Sequence, residues 1–435
     1  QQIAENTGGF NVTLEHVDFF GLSVTSVGDL DGDFVEDLAV GAPHHDTGGT
    51  NRGSVFVLFL NVNGTVKSSQ EIADNTGGFG DLTDVDRFGY SVSRVGDLDG
   101  DGVEDLAVGA YLDDTGGSAR GAVYVLYLNT DGTVRDSEKF ADNTGGFGSL
   151  DDGDGFGISV SGIGDLDGNG VNDMVVGARG DDTGGDNRGA VYVLFLDQNS
   201  TPPPVPPNAQ ISTVQSFQKI ADNTGGFGTL TDVNAFGYSV SEIGDLDGDG
   251  VEDLAVGTLS DDTGGNNRGA IYVLFMNPDG TVKNSQKIAD NTGGFGSLDD
   301  GDGFGVSVTG LGDLDGDGVR DLAVGAYYDD SDSSLDVNRG AVYVLFMNSN
   351  GTVKNSQKIG DNTGGFGAIV GADVFGGSVT GLGDLDGDGV NDLAVGAYLD
   401  KVNDKNSGSL FVLFLNSNGT VKSSQQIAEN TGGFN

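Results

Sequence analysis

Runs of seven consecutive apolar residues recur along the chain, as in Ala122-Val123-Tyr124-Val125-Leu126-Tyr127-Leu128, without intervening polar positions. A strand with one wet face alternates polar and apolar residues, so a strand apolar on both faces is buried on both. Around this run, Phe88 to Ser93 and Asp105 to Tyr111 read as a first and a second strand, with Gly121 to Asn129 as the third. Asp131-Gly132 marks a tight hairpin turn, and Val134 to Ala141 follows as a fourth strand. No segment sustains a helical period, and glycine recurs too often for ordinary helices. The pattern predicts an all-β chain.

The same four-strand pattern repeats. Gly-Asp-Leu-Asp-Gly begins at Gly28, Gly96, Gly164, Gly244, Gly312 and Gly383, which by subtraction are 68, 68, 80, 68 and 71 residues apart. Four antiparallel strands per unit make one propeller blade, and sandwiching between blades buries both faces of the third strand. The expectation is one six-bladed β-propeller over residues 12–435, with blades at about 17–75, 85–143, 153–223, 233–291, 301–362 and 372–430. This overrides the prior of about three domains that length alone suggests. The third unit's extra length comes from a proline-rich insertion, Thr201 to Pro207, in its last hairpin; the fifth carries a smaller one near Ser331 to Val337. Residues 1–11 repeat as residues 425–435, so outer-strand sequence is present once more than six blades require. Residues 1–11 are therefore expected to be a terminal strand segment that closes the ring or pairs with a neighbouring subunit.

Charge narrows the partners. Sixty-seven Asp and Glu against 20 Lys and Arg give a formal charge of −47, which opposes binding to nucleic acid or an anionic membrane. Without cysteine there is neither a disulfide framework nor thiolate chemistry, and bound cations become the leading source of added stability. The apolar runs are too short to span a bilayer as helices. Gln1 opens directly in a repeat-like segment, so the chain reads as a mature product or an excised piece.

The acidic residues are concentrated in nine-residue loops that open each repeat. In the second, Asp97, Asp99 and Asp101 converge by alternate spacing, Val103 offers its carbonyl, and Asp105 chelates as the next strand begins. Such a set suits Ca²⁺, which takes six to eight oxygens. The first unit supplies Asp29, Asp31, Asp33, Val35 and Asp37, and the third Asp165, Asp167, Asn169, Val171 and Asp173. The fourth has Asp245, Asp247, Asp249, Val251 and Asp253, the fifth Asp313, Asp315, Asp317, Val319 and Asp321, and the sixth Asp384, Asp386, Asp388, Val390 and Asp392. About six Ca²⁺, one per blade, are expected. An EF-hand needs flanking helices and a Glu at position twelve, where the first loop has Val40. Phe34 stands where the other loops have glycine, at a cost of roughly 1 kcal/mol or more should that residue be left-handed. Extracellular Ca²⁺ modules bind at roughly 10⁻⁴ to 10⁻³ M, which points to an exported, cell-surface or extracellular protein.

These units resemble the FG-GAP repeats of integrin α-subunit propellers through Phe20-Gly21, Phe88-Gly89, Phe156-Gly157, Phe236-Gly237, Phe304-Gly305 and Phe375-Gly376. The resemblance implies that the FG segment is the innermost strand, that the Ca²⁺ loop joins it to the second strand, and that ligands meet the opposite face. Only the first unit keeps a full Gly41-Ala42-Pro43, and integrin α-subunits usually have seven blades. The near-identity of the units is closer to prokaryotic surface proteins of the same repeat type.

Residues that break the repeat are few. His44-His45-Asp46 reads as a decorated surface loop, and Arg179-Gly180-Asp181 as a tripeptide whose Asp181 belongs to a recurring Asp-Asp-Thr-Gly-Gly turn. Arg52, Arg120, Arg188, Arg268 and Arg339 each precede the glycine that opens a third strand, which predicts repeated ion pairs with loop carboxylates. Asn11, Asn63, Asn199, Asn350 and Asn418 fit the Asn-x-Ser/Thr glycosylation pattern. No serine, histidine and carboxylate set has the arrangement of an active site. The expected role is therefore a non-catalytic, Ca²⁺-stabilised scaffold or adhesion propeller that self-associates into a filament or array. The alternative is a lectin-like module for a glycan or surface-protein ligand, which the absence of Trp disfavours.

Overall fold

The computed structural model describes residues 18–60, 66–198, 212–231, 234–330, 338–369, 374–402, 405–406 and 409–428. They form six four-stranded antiparallel sheets, each with its strands in chain order. Blade one comprises Ser23–Gly28, Asp37–Ala42, Ser54–Leu60 and Val66–Ala73, and blade two Ser91–Gly96, Asp105–Ala110, Ala122–Leu128 and Val134–Ala141. Blade three comprises Phe156–Gly164, Asp173–Ala178, Ala190–Gln198 and Ser212–Ala221, and blade four Phe236–Gly244, Asp253–Thr258, Ala270–Met276 and Val282–Ala289. Blade five has Phe304–Gly312, Asp321–Ala326, Ala341–Met347 and Val353–Ile359, and blade six Ser378–Gly383, Asp392–Ala397, Ser409–Leu415 and Val421–Ala428. This is the six-bladed propeller that the repeats predict. Among the described residues, no helix is long and apolar enough to cross a membrane.

The doubly apolar third strand is explained by packing. All seven residues of Ala122–Leu128 are buried. Ala122, Tyr124, Leu126 and Leu128 join the cluster shared with blade one, whereas Val123, Val125 and Tyr127 join the one shared with blade three. Six such clusters lie between successive blades, including one between blades six and one, so each blade face contributes to an interface. Three aromatic rings fasten each of five junctions. At the first, Phe79 from the Thr-Gly-Gly-Phe loop stacks on Phe88 at 4.8 Å and meets the edge of Tyr124 at 5.3 Å.

The inner strand of blade two does not occupy Phe88 to Ser93. Phe88 instead makes an isolated parallel bridge to Gly53 of blade one, and the ladder runs from Ser91 to Gly96. A bulge between Arg94 and Gly96 carries it down to Asp105, at the mouth of the acidic loop.

The Phe-Gly pair has a geometric reason. A Cβ at Gly109 of blade two would lie 1.9 Å from the carbonyl oxygen of Gly157 in blade three, so both positions must be bare for the blades to approach. Ser91 Oγ donates to that same carbonyl at 2.9 Å. Ser23, Ser159, Ser239 and Ser307 make the equivalent bond to Gly89, Gly237, Gly305 and Gly376, each at 2.9 Å. Ser378 closes the ring onto Gly21 at 3.2 Å. Among the described residues the ring is thus completed by blade-on-blade packing, and no blade draws strands from both the first and the last segments.

Candidate metal centres

Each acidic loop leaves the inner strand and re-enters the sheet at the second strand, so two ladder ends hold its termini. In the second loop Asp97 Oδ1 accepts from the amides of Gly100 and Asp101 at 2.7 and 3.0 Å, and its Oδ2 from Gly102 at 2.8 Å. Asp101 Oδ1 accepts from the Val103 amide at 2.9 Å. The loop is curled around its first carboxylate, which brings the others inward. One oxygen each from Asp97, Asp99 and Asp105 lie within 4.8 Å of one another, as do those of Asp165, Asp167 and Asp173, of Asp245, Asp247 and Asp253, and of Asp313, Asp315 and Asp321. In the first loop the converging set is Asp29, Asp31 and Asp33. In the sixth, Asp384 accepts from the amides of Asp388 and Gly389 at 2.9 and 2.8 Å, so the curl is the same.

The ninth residue has a second task that sequence reasoning missed. Asp105 is fully buried, accepting from the Leu98 amide at 2.9 Å and from the Leu128 amide at 3.1 Å. Leu128 lies at a ladder irregularity next to Tyr127, so Asp105 ties the end of the third strand to the loop. Asp37, Asp173, Asp253, Asp321 and Asp392 make the same two bonds in their own blades. Burial pushes these carboxyls up, to about 7 for Asp105 and Asp173 and about 6 for Asp37, Asp253 and Asp321. The valines enter through their amides, each donating to the residue at position five: Val35, Val103, Val171, Val251, Val319 and Val390.

A cation from the outer strand reaches each of five loops. Lys283 Nζ is 2.7 Å from Asp247 Oδ2 and also pairs with Asp249, and Lys67, Arg135, Lys354 and Lys422 bridge the same two positions in their blades. Blade three departs at both ends of this contact. Asn169 replaces the fifth-position Asp and donates to the Leu196 carbonyl at 2.8 Å, while Gln215 replaces the lysine and turns to Asp197 at 3.3 Å. Losing one negative and one positive charge together leaves positions one, three, five and nine, counted with their outer-strand cation, at the same net charge as in the other five blades. The donors are all oxygen, a hard set that suits Ca²⁺ rather than zinc or copper, and a cationic group already sits against five of the sets. The residues present fit Ca²⁺.

At position six, Gly102, Gly170, Gly250, Gly318 and Gly389 have φ between 87° and 91°, and Phe34 is forced to 68° with its ring 96% exposed. Phe34→Gly is expected to stabilise the chain by about 1 kcal/mol, read as a shift in denaturant midpoint at unchanged slope. A midpoint that stays put or falls would mean that the aromatic ring compensates for its strain.

The arginine ion pairs form as expected. Arg52 bridges Asp74 at 2.5 Å and Asp84 at 2.9 Å, thereby joining the exit of blade one to the start of blade two. Arg120 and Arg268 make the same bridges, and Arg188 and Arg339 reach Asp222 and Asp361. The histidine doublet divides. His45 stands where Asp113 stands in blade two, and Glu71 where Lys139 stands, so the contact of the 2.8 Å Asp113–Lys139 pair is kept with the acid on the other strand, His45 Nδ1 lying 3.4 Å from Glu71. His44 packs on Phe19 with ring centroids 4.3 Å apart, and burial helped by Arg87 pushes its imidazole down to about 4. Asp181 is buried against Lys219 and Tyr192, so Arg179-Gly180-Asp181 does not present its carboxylate. Asn350 and Asn418 cap exposed hairpin turns through the Thr352 and Thr420 amides. Asn11, Asn63, Asn199, both insertions and residues 1–11 lie outside the described residues.

A family model described as FG-GAP repeat matches residues 20–58, 88–126, 156–194, 236–274, 304–345 and 375–413. Each match runs from the Phe-Gly pair through the acidic loop and into the third strand. Integrin alpha-3 of Cricetulus griseus is 33% identical over 179 residues, which are 40% of this chain and 15% of that protein. Integrin alpha-6 of Gallus gallus is 34% identical over 170 residues, 39% and 14% of the two chains, and integrin alpha-PS2 of Drosophila melanogaster 36% identical over 174 residues, 38% and 11%. The matched segments thus span about one seventh or less of these relatives' own lengths. With the repeat model covering all six blades and more than half of the residues, the chain belongs to the FG-GAP repeat family.

Proposed function

We propose that this chain is a non-catalytic adhesion module working outside the cell, its ring stiffened by one Ca²⁺ per blade. The observation that supports this is the sixfold repetition of an oxygen-only acidic loop, set between the first two strands of every blade. A catalytic site is ordinarily one place, whereas here the chemistry is distributed around a ring. Positions one, three, five and nine of each loop would hold the ion with their side chains and the valine at position seven with its carbonyl. The outer-strand cation is then a tethered competitor. Lys283→Gln is expected to tighten calcium binding at the fourth loop by about threefold, and Gln215→Lys to weaken it at the third, as read by calorimetric titration. Unchanged isotherms for both would remove the lysine from the binding equilibrium.

The chain further self-associates through its surplus outer-strand segment. Among the described residues, 23–428 supply four strands to each of the six blades, and residues 425–428 provide the end of the outer strand of blade six. Gln1 to Ala4 repeat the sequence of Gln425 to Ala428, which already stand in the outer strand of blade six. Exchanged for residues 425–435 of a second copy, residues 1–11 would join chains through an ordinary blade edge. Light scattering in millimolar Ca²⁺ is expected to give large assemblies for the full chain and monomers for a chain lacking residues 1–11. Monomers in both cases would refute the assembly and leave the Ca²⁺ module standing.

A further inference from the structure

Because the blades are near-copies, departures from the repeat mark places where the framework alone does not dictate the residue. The residue after each Phe-Gly pair is Leu22, Tyr90, Ile158, Tyr238, Val306 and Gly377 in turn, although the Phe and Gly before it and the Ser after it never change. The residue two beyond the glycine of each second strand is Pro43, Tyr111, Arg179, Leu259, Tyr327 and Tyr398. Inner strands begin and second strands end on the face away from the acidic loops, where the six residues after the Phe-Gly pairs line one cavity with Tyr398, and Tyr111 and Arg179 lie against its Tyr90 and Tyr238.

Six of the eleven tyrosines gather there: Tyr90, Tyr111, Tyr238, Tyr327, Tyr328 and Tyr398. Tyr90 and Tyr111 rings lie 4.4 Å apart, Tyr327 and Tyr328 stack at 3.8 Å, and the Tyr90 and Tyr238 hydroxyls meet across the channel at 3.4 Å. The remaining five tyrosines all lie on third strands, inside the blade interfaces. A purely structural plug would be met by one residue repeated six times, as the serine ring is.

The mouth also holds one cation, Arg179, with no carboxylate partner among the described residues. Arg179 lies 5.5 Å from the Tyr111 ring centroid and 5.6 Å from that of Tyr238. Arg87, nearby, donates to the Asn51 amide oxygen at 2.6 Å. Elsewhere basic residues are drawn to carboxylates, as at Arg120, Lys139 and Lys287. At the opposite mouth too, variable charged side chains pair locally, Arg94 with Glu104 at 3.9 Å.

In a chain of charge −47, an arginine whose charged group meets aromatic rings and no carboxylate among the described residues is a place prepared for an anion. Its planar fork matches a carboxylate, and tyrosine faces and hydroxyls suit the C–H faces and hydroxyls of a pyranose. The surrounding turns carry exposed Asp114, Asp182 and Asp262, which would repel a polyanion within a screening length of about 8 Å but tolerate a neutral body bearing one charge. We propose that the tyrosine-lined mouth binds a sugar with a single carboxylate at the end of an otherwise neutral glycan, Arg179 taking the carboxylate and the tyrosines the ring.

This inference rests on the reading of the chain as a binding module. It is tested with the full chain in millimolar Ca²⁺ by calorimetric titration of methyl glucuronide, N-acetylneuraminic acid, methyl glucoside and a blocked glutamate peptide. One of the two acidic sugars is expected to bind at least tenfold more tightly than the neutral glucoside, and which one binds identifies the sugar type. Arg179→Gln is expected to abolish that preference, and Tyr238→Ala to weaken the acidic and neutral sugars alike. Equal affinity for acidic and neutral sugars, no saturable binding, tighter binding of the peptide, or a preference that survives Arg179→Gln would each overturn it. Calcium stoichiometry measured on the same samples separates a failed mouth from a failed module, because a calcium-loaded ring that ignores these sugars counts against the mouth alone.

Discussion

Removing calcium at pH 7.5 with a chelator is expected to lower the unfolding midpoint by more than about 10 °C. Each ion that binds only the folded state adds about 2.7 kcal/mol at a hundredfold excess over its Kd, and six such sites act together. What remains without the ions is a crowd of carboxylates, some of them buried. Burial raises the ninth-position groups to about 6 at Asp37 and about 7 at Asp105, above the ordinary 3.8. Between about pH 4 and 7 the calcium-free folded chain therefore holds more protons than the unfolded chain, and its stability falls as pH rises through that window. The loop carboxyls lowered by their lysine neighbours, Asp33, Asp249, Asp317 and Asp388, lose their contribution only below 3.8, outside this window. Calcium requires the ionised form and so reverses the trend. In chelator the midpoint should rise from pH 7.5 to 5.5, and in calcium it should not. Calorimetry under four conditions decides the matter, and a midpoint at pH 7.5 indifferent to chelator would refute the metal assignment.

Gly109→Ala should be the most damaging methyl group that can be added to the ring. The new carbon would sit 1.9 Å from the Gly157 carbonyl oxygen and 2.3 Å from Ser91 Oγ, so it displaces a neighbouring blade's backbone and disrupts the serine bond to it. The expected cost is on the order of 4 kcal/mol. Gly396→Ala places its methyl 2.8 Å from the Gly21 carbonyl oxygen at the junction of blades six and one, and about half that cost is expected there. Denaturant midpoints of the two variants give the comparison. A Gly109→Ala chain within about 1 kcal/mol of the parent would show that the blades can part without penalty.

Much of this was legible in the chain itself, because a repeat prints the same evidence six times. The blade count, the fourth strand at Val134 to Ala141, the acidic loops and the arginine ion pairs all follow from local pattern. What escaped depends on contacts between residues far apart in the chain. Ser91 and Gly157 are 66 residues apart, and only the angle between blades brings the hydroxyl onto the carbonyl. The His45–Glu71 contact, with the acid moved to the other strand, becomes readable only after blade one is laid on blade two. Gln215, and its coupling to the Asn169 already visible in the third loop, could have been found by asking which unit breaks its own rule twice. The start of the blade two strand was misplaced because Phe88 looks like strand residue but spends its backbone on a bridge to Gly53.

Because no blade among the described residues shares strands between the first and last segments, a pull applied at Asp18 and Ala428 would load the junction of blades six and one before any other. That junction has the longest of the serine links, 3.2 Å against 2.9 Å elsewhere. Once it opens, each blade is a contiguous stretch that can peel away alone, and a typical 68-residue unit pays out on the order of 230 Å of chain. A tether built this way yields in steps of nearly equal length, dissipating work one blade at a time instead of failing all at once.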